Sequence, residues 1–268
     1  MKHCKTHLGR LGLAAVLALA GFGAAPAPVR AAELSAQAIV DRSLENNAFG
    51  FQNALAQLTL RLFSKKGSER VREIEIRSRE KDERKRTLVR FQAPADVAGT
   101  GFLMLENDDR DDDQYLYLPA IGKVKRISGN QRQQRFMGTD LTHADLESRS
   151  LRKGNLERLP DAAVGGSQAY VIASTPKEGD DSQYGKTVTW IHQSSFVPLR
   201  IEFYDRQLEL LKVLTVHRLE KKDGNWVVMD STIKNEQAGT STQMTVRSID
   251  FKAKLEDAEF TERALGSG

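Results

Sequence analysis

The sequence contains a single cysteine, Cys4, among 268 residues. Because Cys4 lies near the amino terminus, ahead of the first apolar run, removal of a leader would leave a chain without any thiol. Disulfide bonds, thiolate nucleophiles and cysteine-ligated zinc are then excluded. The stability of such a chain must come from a buried apolar core, and this chain is long enough to form one.

Histidine is also scarce, and the motifs of common enzymes are missing. The three histidines beyond the leader do not form the H-x-H or H-E-x-x-H spacing of zinc sites. The sequence has no G-x-S-x-G nucleophile elbow, and Gly99-Thr100-Gly101 is too short for a phosphate loop. We therefore expect a protein that is not an enzyme, with no catalytic residues, metal site or cofactor. The three histidines are His143, His192 and His217.

The one long apolar run belongs to an N-terminal leader. Basic residues within the first ten positions precede apolar and small residues from Leu11 to Ala25, and Val29-Arg30-Ala31 then supplies small residues for cleavage. This pattern predicts a signal peptide over residues 1–31 and a single mature domain over 32–268. A retained membrane helix is the alternative. Because Cys4 precedes the apolar run, it cannot be a lipoprotein cysteine, so we expect an exported protein without a lipid anchor.

Neither sign of charge dominates the predicted mature domain. The whole chain has 40 Lys and Arg against 36 Asp and Glu, and the excess of four lies in the leader. Nucleic-acid-binding domains typically carry a strongly basic face or stripe, so we expect no nucleic-acid partner. No other apolar run approaches the length of about 20 residues needed to cross a bilayer.

Short segments in which apolar and polar residues alternate are abundant, and this period of two is typical of strands. Ser35 is predicted to cap a helix that runs to about Asn46. Consecutive antiparallel strands must close or half close to protect their edges, which favours an open or closed β-barrel with space for a cavity. The eleven or twelve predicted strands cover residues 54–62, 74–76, 84–92, 102–106, 114–118, 123–127, 170–174, 186–192, 199–204, 210–219, 226–235 and 240–254.

Four segments in this order carry a family resemblance. They are F-Q-A-P-A-D-V-A-G-T-G-F-L at Phe91–Leu103, Y-L-Y-L-P-A-I-G-K-V-K-R-I at Tyr115–Ile127, F-M-G-T-D-L-T-H-A-D-L at Phe136–Leu146 and W-I-H-Q-S-S-F-V-P-L-R-I-E-F-Y-D at Trp190–Asp205. Together they resemble the LolA/LolB-type lipoprotein carriers, and more closely the branch of outer-membrane lipoprotein-sorting proteins.

The resemblance implies a mainly β fold, an unclosed antiparallel barrel of about eleven strands with helices covering its mouth. It also implies a monomeric periplasmic carrier that binds acyl chains of a lipoprotein or other lipid and moves them toward the outer membrane. An inner-membrane transporter of the RND/MMPL type is an implied partner. Such a role suits an apolar cavity, since each methylene exposed to water costs about 0.8 kcal/mol.

Alternation within the strands selects the residues expected to line this cavity, although a core packed with its own side chains would show the same alternation. The residues Phe136–Leu146 are expected to form a movable, helix-prone lid with an exposed Phe136-Met137 pair and Gly138 as its hinge. Asp140 or Thr142 is expected to cap a helical turn that carries Leu146. The predicted lining residues are Leu58, Leu60, Leu62, Ile74, Ile76, Val89, Phe91, Phe102, Met104, Ile201, Phe203, Val227 and Met229, and the predicted lid residues are Phe136, Met137, Gly138, Leu141 and Leu146.

Charged segments have competing interpretations. The acidic stretch 106–113 offers oxygen ligands for a hard cation, but it lacks the order of an EF-hand, so we expect a solvated turn. Three arginines on one strand face, at positions 84, 86 and 90, could meet anionic headgroups. We expect them instead to pair across the sheet with Glu73 and Glu75.

Two other functions remain open from the sequence. The same barrel could be an accessory subunit of a transporter, with a cavity filled by its own side chains and no lipid cargo. A hydrolase that uses Asp140, Asp145 or His143 is the third hypothesis, although carboxylates are plentiful and sequence alone cannot show that they converge.

Overall fold

The computed structural model describes residues 1, 33–44, 53–108, 110–147, 154–180 and 182–267. Residues Leu34–Gly268 form one compact unit and Met1–Glu33 another. The predicted signal peptide over residues 1–31 lies, apart from Met1, outside the described residues. Within the described ranges, no helix is both long enough and apolar enough to cross a membrane.

Strands dominate the unit Leu34–Gly268, which confirms the prediction of a mainly β fold. Its described part has thirteen strands where eleven or twelve were expected. The strands are β1 (Ala54–Phe63), β2 (Glu69–Lys81), β3 (Arg84–Ala93), β4 (Gly101–Leu105), β5 (Asp113–Leu118), β6 (Lys123–Ile127), β7 (Asn155–Val164), β8 (Ser167–Thr175), β9 (Tyr184–His192), β10 (Pro198–Asp205), β11 (Leu210–Lys222), β12 (Asn225–Asn235) and β13 (Thr240–Asp250), and the α-helices are α1 (Ala36–Ser43) and α2 (Glu262–Gly266).

The thirteen strands form a single antiparallel sheet made of two meanders. Strands β1 to β6 follow one another in space, as do β7 to β13, and the pairing of β1 with β13 joins the two series. Leu60 of β1 lies opposite Met244 of β13. Strands β6 and β7 are the two ends of this order, so the barrel is open, as predicted.

Strand β7 was missed by the sequence analysis. Its residues include Pro160 and the acids Glu157 and Asp161, which obscure the alternation of apolar and polar positions. Proline cannot donate a ladder hydrogen bond and is therefore tolerated on edge strands. Because β7 is an end of the sheet, Pro160 is compatible with the strand that its sequence conceals.

Alternation places one large apolar cluster on the inner face of the sheet. In β1 the residues Leu58, Leu60 and Leu62 are buried, while Arg61 between them is exposed. Residues of β2, β3, β4 and β12 extend the same cluster. Twelve of the thirteen predicted lining residues belong to this cluster, and Ile201 packs against it.

Helix α1 begins as its sequence indicates. The Ser35 side chain accepts a hydrogen bond from the backbone N–H of Ala38 at 3.2 Å, which satisfies one of the unpaired donors of the first turn. Ile39 and Val40 pack against Ile172 and Ile191 of β8 and β9. The helix ends at Ser43, and the predicted extension to Asn46 lies outside the described residues.

The C-terminal segment covers the outer face of β3 to β5. Phe260 and Leu265 are buried there against Leu88 and Leu103. The guanidinium of Arg90 donates to the carbonyls of Leu265 and Ala264 at 2.9 and 2.8 Å, which fixes the end of α2 to β3.

The expected cross-strand pairing with Glu73 and Glu75 is wrong for Arg84 and Arg86, whereas Arg90 does lie opposite Glu75 on β2. Arg84 pairs with Asp108 at 3.1 Å, and Arg86 lies 3.9 Å from Asp257 in the C-terminal segment. Glu73 instead accepts hydrogen bonds from Thr59, which lies opposite it on β1. Arg84 and Arg86 therefore pair with acids outside β2, and not with the acids of β2 that we had expected to be their partners.

We predict that Phe260→Ala lowers the free energy of unfolding by about 3–5 kcal/mol, because it leaves a cavity between the C-terminal segment and the sheet. Ile121→Ala is the matched control, since Ile121 is 46% exposed and its truncation should cost less than about 0.5 kcal/mol. Urea unfolding measures both. Equal stabilities of the two variants would contradict the covering role of this segment.

Candidate functional site

A cavity of about 590 Å³ lies inside the barrel. Its wall comes from strands β9 to β13, from Leu58 of β1, from the end of α1 and from the connections between β6 and β7 and between β8 and β9. Side chains that are apolar supply much of this wall, together with the hydroxyls of Ser43, Ser174 and Ser231. The apolar residues are Leu44, Leu58, Leu141, Ala144, Leu146, Pro176, Val197, Pro198, Ile201, Phe203, Leu214, Val216, Val228, Met244 and Val246.

The predicted lining residues divide into two groups. Leu58, Ile201 and Phe203 border the cavity. The other ten belong to the inner-face cluster but lie away from the cavity, packed among themselves on the side of β1 to β4 and in β12. Contact of these ten residues with a bound ligand therefore stays a prediction. The three residues that border the cavity are better placed to make such a contact.

Several wall residues were not singled out from the sequence. Leu214 and Val216 alternate along β11, and Met244 and Val246 alternate along β13. Both strands were predicted, so the periodic signal that could have identified these four residues was present. Which of many alternating side chains border an empty space depends on contacts between strands, and alternation carries no information on that.

The connection between β6 and β7 carries the crossing segment, defined here as residues 135–147. This segment was expected to be helix-prone, and its helical structure is limited to two 3-10 turns, Phe136–Gly138 and Ala144–Leu146. Met137 and Gly138 both have positive φ, 47° and 76°, which an α-helix does not allow. Thr142 rather than Asp140 acts in the manner of a cap, since its hydroxyl accepts from the backbone of Asp145.

Phe136 of the crossing segment is a core residue, so its predicted exposure is wrong. The side chain is 2% exposed, and its ring centroid lies 4.9 Å from that of Phe102 and 6.0 Å from that of Phe91. Met137 is partly buried against the same cluster. Leu141 and Leu146 are buried as well, and both border the cavity. The segment therefore forms part of the interior packing.

Polar contacts hold the crossing segment to three regions of the sheet. The guanidinium of Arg72 on β2 donates to the carbonyl of Met137, and Gln114 on β5 donates to the carbonyl of His143 at 2.9 Å. The buried carboxylate of Asp140 accepts from the hydroxyl of Thr242 on β13 at 2.8 Å. Backbone and side chain of the segment are thus both fixed to strands of the barrel.

The fourth contact is a buried ion pair between Lys212 of β11 and Asp145. The Nζ and Oδ2 atoms lie 2.5 Å apart, and the two side chains are 2% and 3% exposed. Tyr184 of β9 donates its hydroxyl to Oδ1 of Asp145 at 2.8 Å. The rings of Tyr184 and Phe203 each lie 5.1 Å from Nζ, where their faces stabilise the cation. Burial, and then the negative charge of Asp145, raise the pKa of Tyr184 well above its ordinary value.

The groups proposed for a hydrolase are occupied by structural contacts. Both carboxylates, those of Asp140 and Asp145, are bound to hydroxyls and cations that fix the crossing segment. His143 is 5% exposed and packs against the rings of Phe102 and Phe136. Burial, and then the charge of Arg132, lower the pKa of His143 to about 4, so its ring is neutral at physiological pH. These contacts hold the two carboxylates and leave His143 buried.

The acidic turn between β4 and β5 is only partly solvated. Glu106 is 5% exposed, and its carboxylate accepts from the backbone of Lys85 at 2.7 Å. Asp113 accepts from Arg110 at 2.8 and 2.6 Å and also from Arg126. Within the described ranges, no cluster of acids or histidines has the geometry to hold a metal ion. The expectation of a simple solvated turn is therefore wrong for Glu106.

Comparisons with known proteins agree with this geometry. The sequence profile of a family described as uncharacterized proteins matches residues 83–267. A domain from Vibrio parahaemolyticus named for outer membrane lipoprotein sorting is 30% identical, with a TM-score of 0.78, over 87% of this chain and 100% of that one. The chain belongs to the LolA superfamily.

Two further structures have the same fold as this LolA-superfamily domain. A DUF1329 family protein from Desulfovibrio piger is 28% identical, with a TM-score of 0.75, over 86% of this chain and 98% of that one. A LolA superfamily protein from Nitrosomonas europaea is 19% identical, with a TM-score of 0.66, over 87% of this chain and 100% of that one. The comparison with curated proteins found no match.

We predict that Asp145→Leu destabilises this LolA-superfamily domain by about 3–5 kcal/mol, because Lys212 is left as a buried cation without its partner. Adding Lys212→Met should restore most of the loss, since no charge then remains to be desolvated. Glu69→Ala is the control, because it breaks the exposed pair with Arg61 and should cost about 1 kcal/mol or less. Denaturant unfolding measures the free energy of unfolding of each variant. A double variant that is no more stable than Asp145→Leu alone would contradict the pairing.

The acidic turn gives the LolA-superfamily domain a defined pH dependence. Hydrogen bonds from Arg110, and then from Asn107 and Arg126, lower the pKa of Asp113 to about 2. A carboxyl with a depressed folded-state pKa adds stability above its unfolded value, near 4, and loses it as pH falls through the folded value. Asp113→Asn should therefore be less stable than the parent above about pH 4, with the difference vanishing near pH 2. Thermal unfolding of both proteins between about pH 2 and pH 7 measures this difference in stability. A difference that stays constant with pH would contradict the prediction.

Proposed function

We propose that this LolA-superfamily protein is a periplasmic carrier that binds acyl chains in its barrel cavity and moves a lipoprotein or other lipid toward the outer membrane. The observation that carries the proposal is the cavity of about 590 Å³ with largely apolar walls inside an open barrel. Cavities of roughly 300–1,000 Å³ are typical of sites for small ligands.

The physical basis is the transfer of methylene groups out of water. Each buried methylene gains about 0.8 kcal/mol, so an acyl chain of about 16 carbons gains on the order of 10 kcal/mol before ordering costs. Ile201, Phe203, Leu214, Met244 and Val246 offer the apolar contacts that this transfer needs. A protein with such a site would carry a chain across an aqueous compartment that the chain cannot cross alone.

The family supports the same role. The relative from Vibrio parahaemolyticus is named for outer membrane lipoprotein sorting, and that name is the reason to consider lipoproteins among the cargo. Secretion by the leader over residues 1–31, a single domain over 32–268, a monomeric state and delivery from an RND/MMPL-type transporter complete the proposal. A catalytic step is not part of it.

A second candidate function is an accessory subunit without lipid cargo. It is favoured by the ten predicted lining residues on β1 to β4 and β12, which pack together with Phe136 in one cluster and do not border the cavity. If the remaining space were also closed to lipid, the same fold would serve only as an interaction module.

We predict that the exported protein retains a stoichiometric acyl-bearing molecule through purification. Native mass spectrometry followed by lipid extraction measures this. Leu214→Gln replaces an apolar wall residue and should weaken binding by about tenfold or more, because the buried apolar contact of a leucine amounts to roughly 1.5–3 kcal/mol.

Thr215→Gln is the matched control, since Thr215 is the next residue on β11 and points to the outer face. It should bind as the parent does. A bare protein mass for the parent, unchanged after incubation with lipids, would favour the accessory subunit. Equal weakening by both substitutions would argue against binding in this cavity.

A further inference from the structure

We infer that the cavity recognises a neutral acyl carbonyl, the ester or amide group at the head of a fatty chain, through hydroxyls carried by α1, β8 and β9. The inference deepens the proposed function and rests on it. Apolar walls accept any fatty chain. A polar site among them distinguishes a chain in ester or amide linkage from a free fatty acid or an ether.

Three hydroxyl residues that border the cavity form the hydroxyl site, defined here as Ser43, Ser174 and Thr187. Ser174 of β8 lies directly opposite Thr187 of β9, and residues opposite each other share one face of a sheet. Helix α1 ends at Ser43, and the next residue, Leu44, packs in one cluster with Leu156. Leu156 lies opposite Ser174 on β7. The end of the helix therefore lies over the strands that carry the other two hydroxyls.

The Ser43 hydroxyl is buried without a hydrogen-bond partner. The side chain is 3% exposed, and its Oγ makes no hydrogen bond to any group in the part of the chain that the structure describes. The hydroxyl of Thr189, two residues from Thr187 on β9, is fully buried and also lacks a partner there. A buried polar group without a partner costs free energy, and a ligand that supplies the partner recovers it. The hydroxyl site is therefore incomplete in the protein alone.

A glycine keeps the Ser174 hydroxyl in place. A Cβ atom at position 154 would lie 2.1 Å from Oγ of Ser174 and 2.7 Å from the carbonyl oxygen of Thr175. Both distances are far below ordinary contact, so any residue other than Gly154 would displace the hydroxyl or the strand that carries it. The close approach of the backbone to the hydroxyl site thus depends on this glycine.

The charges around the cavity favour a neutral group over a carboxylate. Of the charged residues that border it, four are acids and two are bases. Arg132 is paired with Glu147. The ammonium of Lys186 lies 5.9 Å from the ring centroid of Tyr204, which packs with Val188 and not with the inner-face cluster. A free carboxylate would lose hydration without gaining a cation. The six residues are Asp111, Arg132, Asp145, Glu147, Asp180 and Lys186.

The cation at the end of α1 is engaged there. Lys85 of β3 donates to the carbonyl of Leu44, and Lys85 does not border the cavity. Carbonyls at a helix end have no partner within the helix, so this contact stabilises the end of α1. The hydroxyls of the hydroxyl site are then the polar groups that meet the head of a chain.

Hydroxyls suit a carbonyl because serine and threonine donate an O–H, and a carbonyl oxygen accepts through two lone pairs. An ether oxygen is a weaker acceptor and has no carbonyl to offer. Thr187 lies opposite Phe203 of β10, and both Phe203 and Ile201 border the cavity. A chain with its carbonyl at the hydroxyl site would therefore run directly onto the apolar wall of β10 to β13.

The first experiment compares probes that share one chain and differ in its linkage. The delipidated exported protein is titrated by calorimetry with monolauroylglycerol, its amide analogue, its dodecyl ether analogue and laurate. The ester and the amide should bind about threefold to tenfold more tightly than the ether, the ratio expected of one neutral hydrogen bond. Laurate should bind more weakly than the ester, because its charge finds no cation. The tighter of ester and amide identifies the linkage that the cargo carries.

The second experiment locates the recognition. The double variant Ser43→Ala, Ser174→Ala should bind ester and ether equally, while its affinity for the ether stays that of the parent. Ser231→Ala is the matched control, since Ser231 also borders the cavity but lies on β12, three strands from β9 and roughly 14 Å across the sheet. It should keep the preference of the parent for the ester.

Thermal unfolding separates loss of the site from loss of the fold. Ser43→Ala alone should unfold at the same temperature as the unliganded parent or higher, because it removes a buried hydroxyl that has no partner. A lower unfolding temperature would show that the hydroxyl is already satisfied within the protein, which overturns the inference.

The binding outcomes distinguish this inference from the function on which it rests. Equal binding of ester, amide and ether by the parent overturns the inference and leaves the carrier function standing, as does laurate binding more tightly than the ester. A preference that persists in the double variant, or that disappears in Ser231→Ala, places recognition elsewhere and also overturns it. Failure of all four probes to bind overturns the carrier function and, with it, the inference.

Discussion

The pairing of β1 with β13 is the constraint on which the rest of the structure depends. It joins the first strand of one meander to the last strand of the other, with Leu58 opposite Val246 and Leu60 opposite Met244. Without it, the two series of strands would be separate sheets with unpaired edges at their centre. With it, the apolar faces of both series enclose one interior.

The crossing segment then divides that interior unequally. It leaves the sheet after β6 and returns at β7, and its residues Phe136, Leu141 and Leu146 enter the space between the two series. Toward β3 and β4 the space is filled by aromatic rings. Toward β9 to β13 a cavity remains. The buried pair of Asp145 and Lys212 stabilises this division, because either charge alone would be costly in the interior.

Much of the fold could be predicted from the sequence because strand periodicity is a local property. The alternation of Leu58, Leu60 and Leu62 with polar neighbours identified β1 and its inner face, and Ser35 identified the start of α1. The prediction failed where the local signal conflicted with position in the sheet. Strand β7 contains Pro160, which only an edge accommodates, and the turn at Met137 buries a phenylalanine that its polar neighbours made look exposed.

The sequence by itself determined the class of fold and which side of each strand faces inward, since both follow from a period of two. Only the tertiary structure decided which inward side chains border space and which fill it. Leu60 and Leu214 show the same alternation, yet Leu60 is packed in the core and Leu214 borders the cavity. The reason is physical: a void is defined by atoms that do not meet, and the atoms around it come from positions as distant in sequence as Ser43 and Val246.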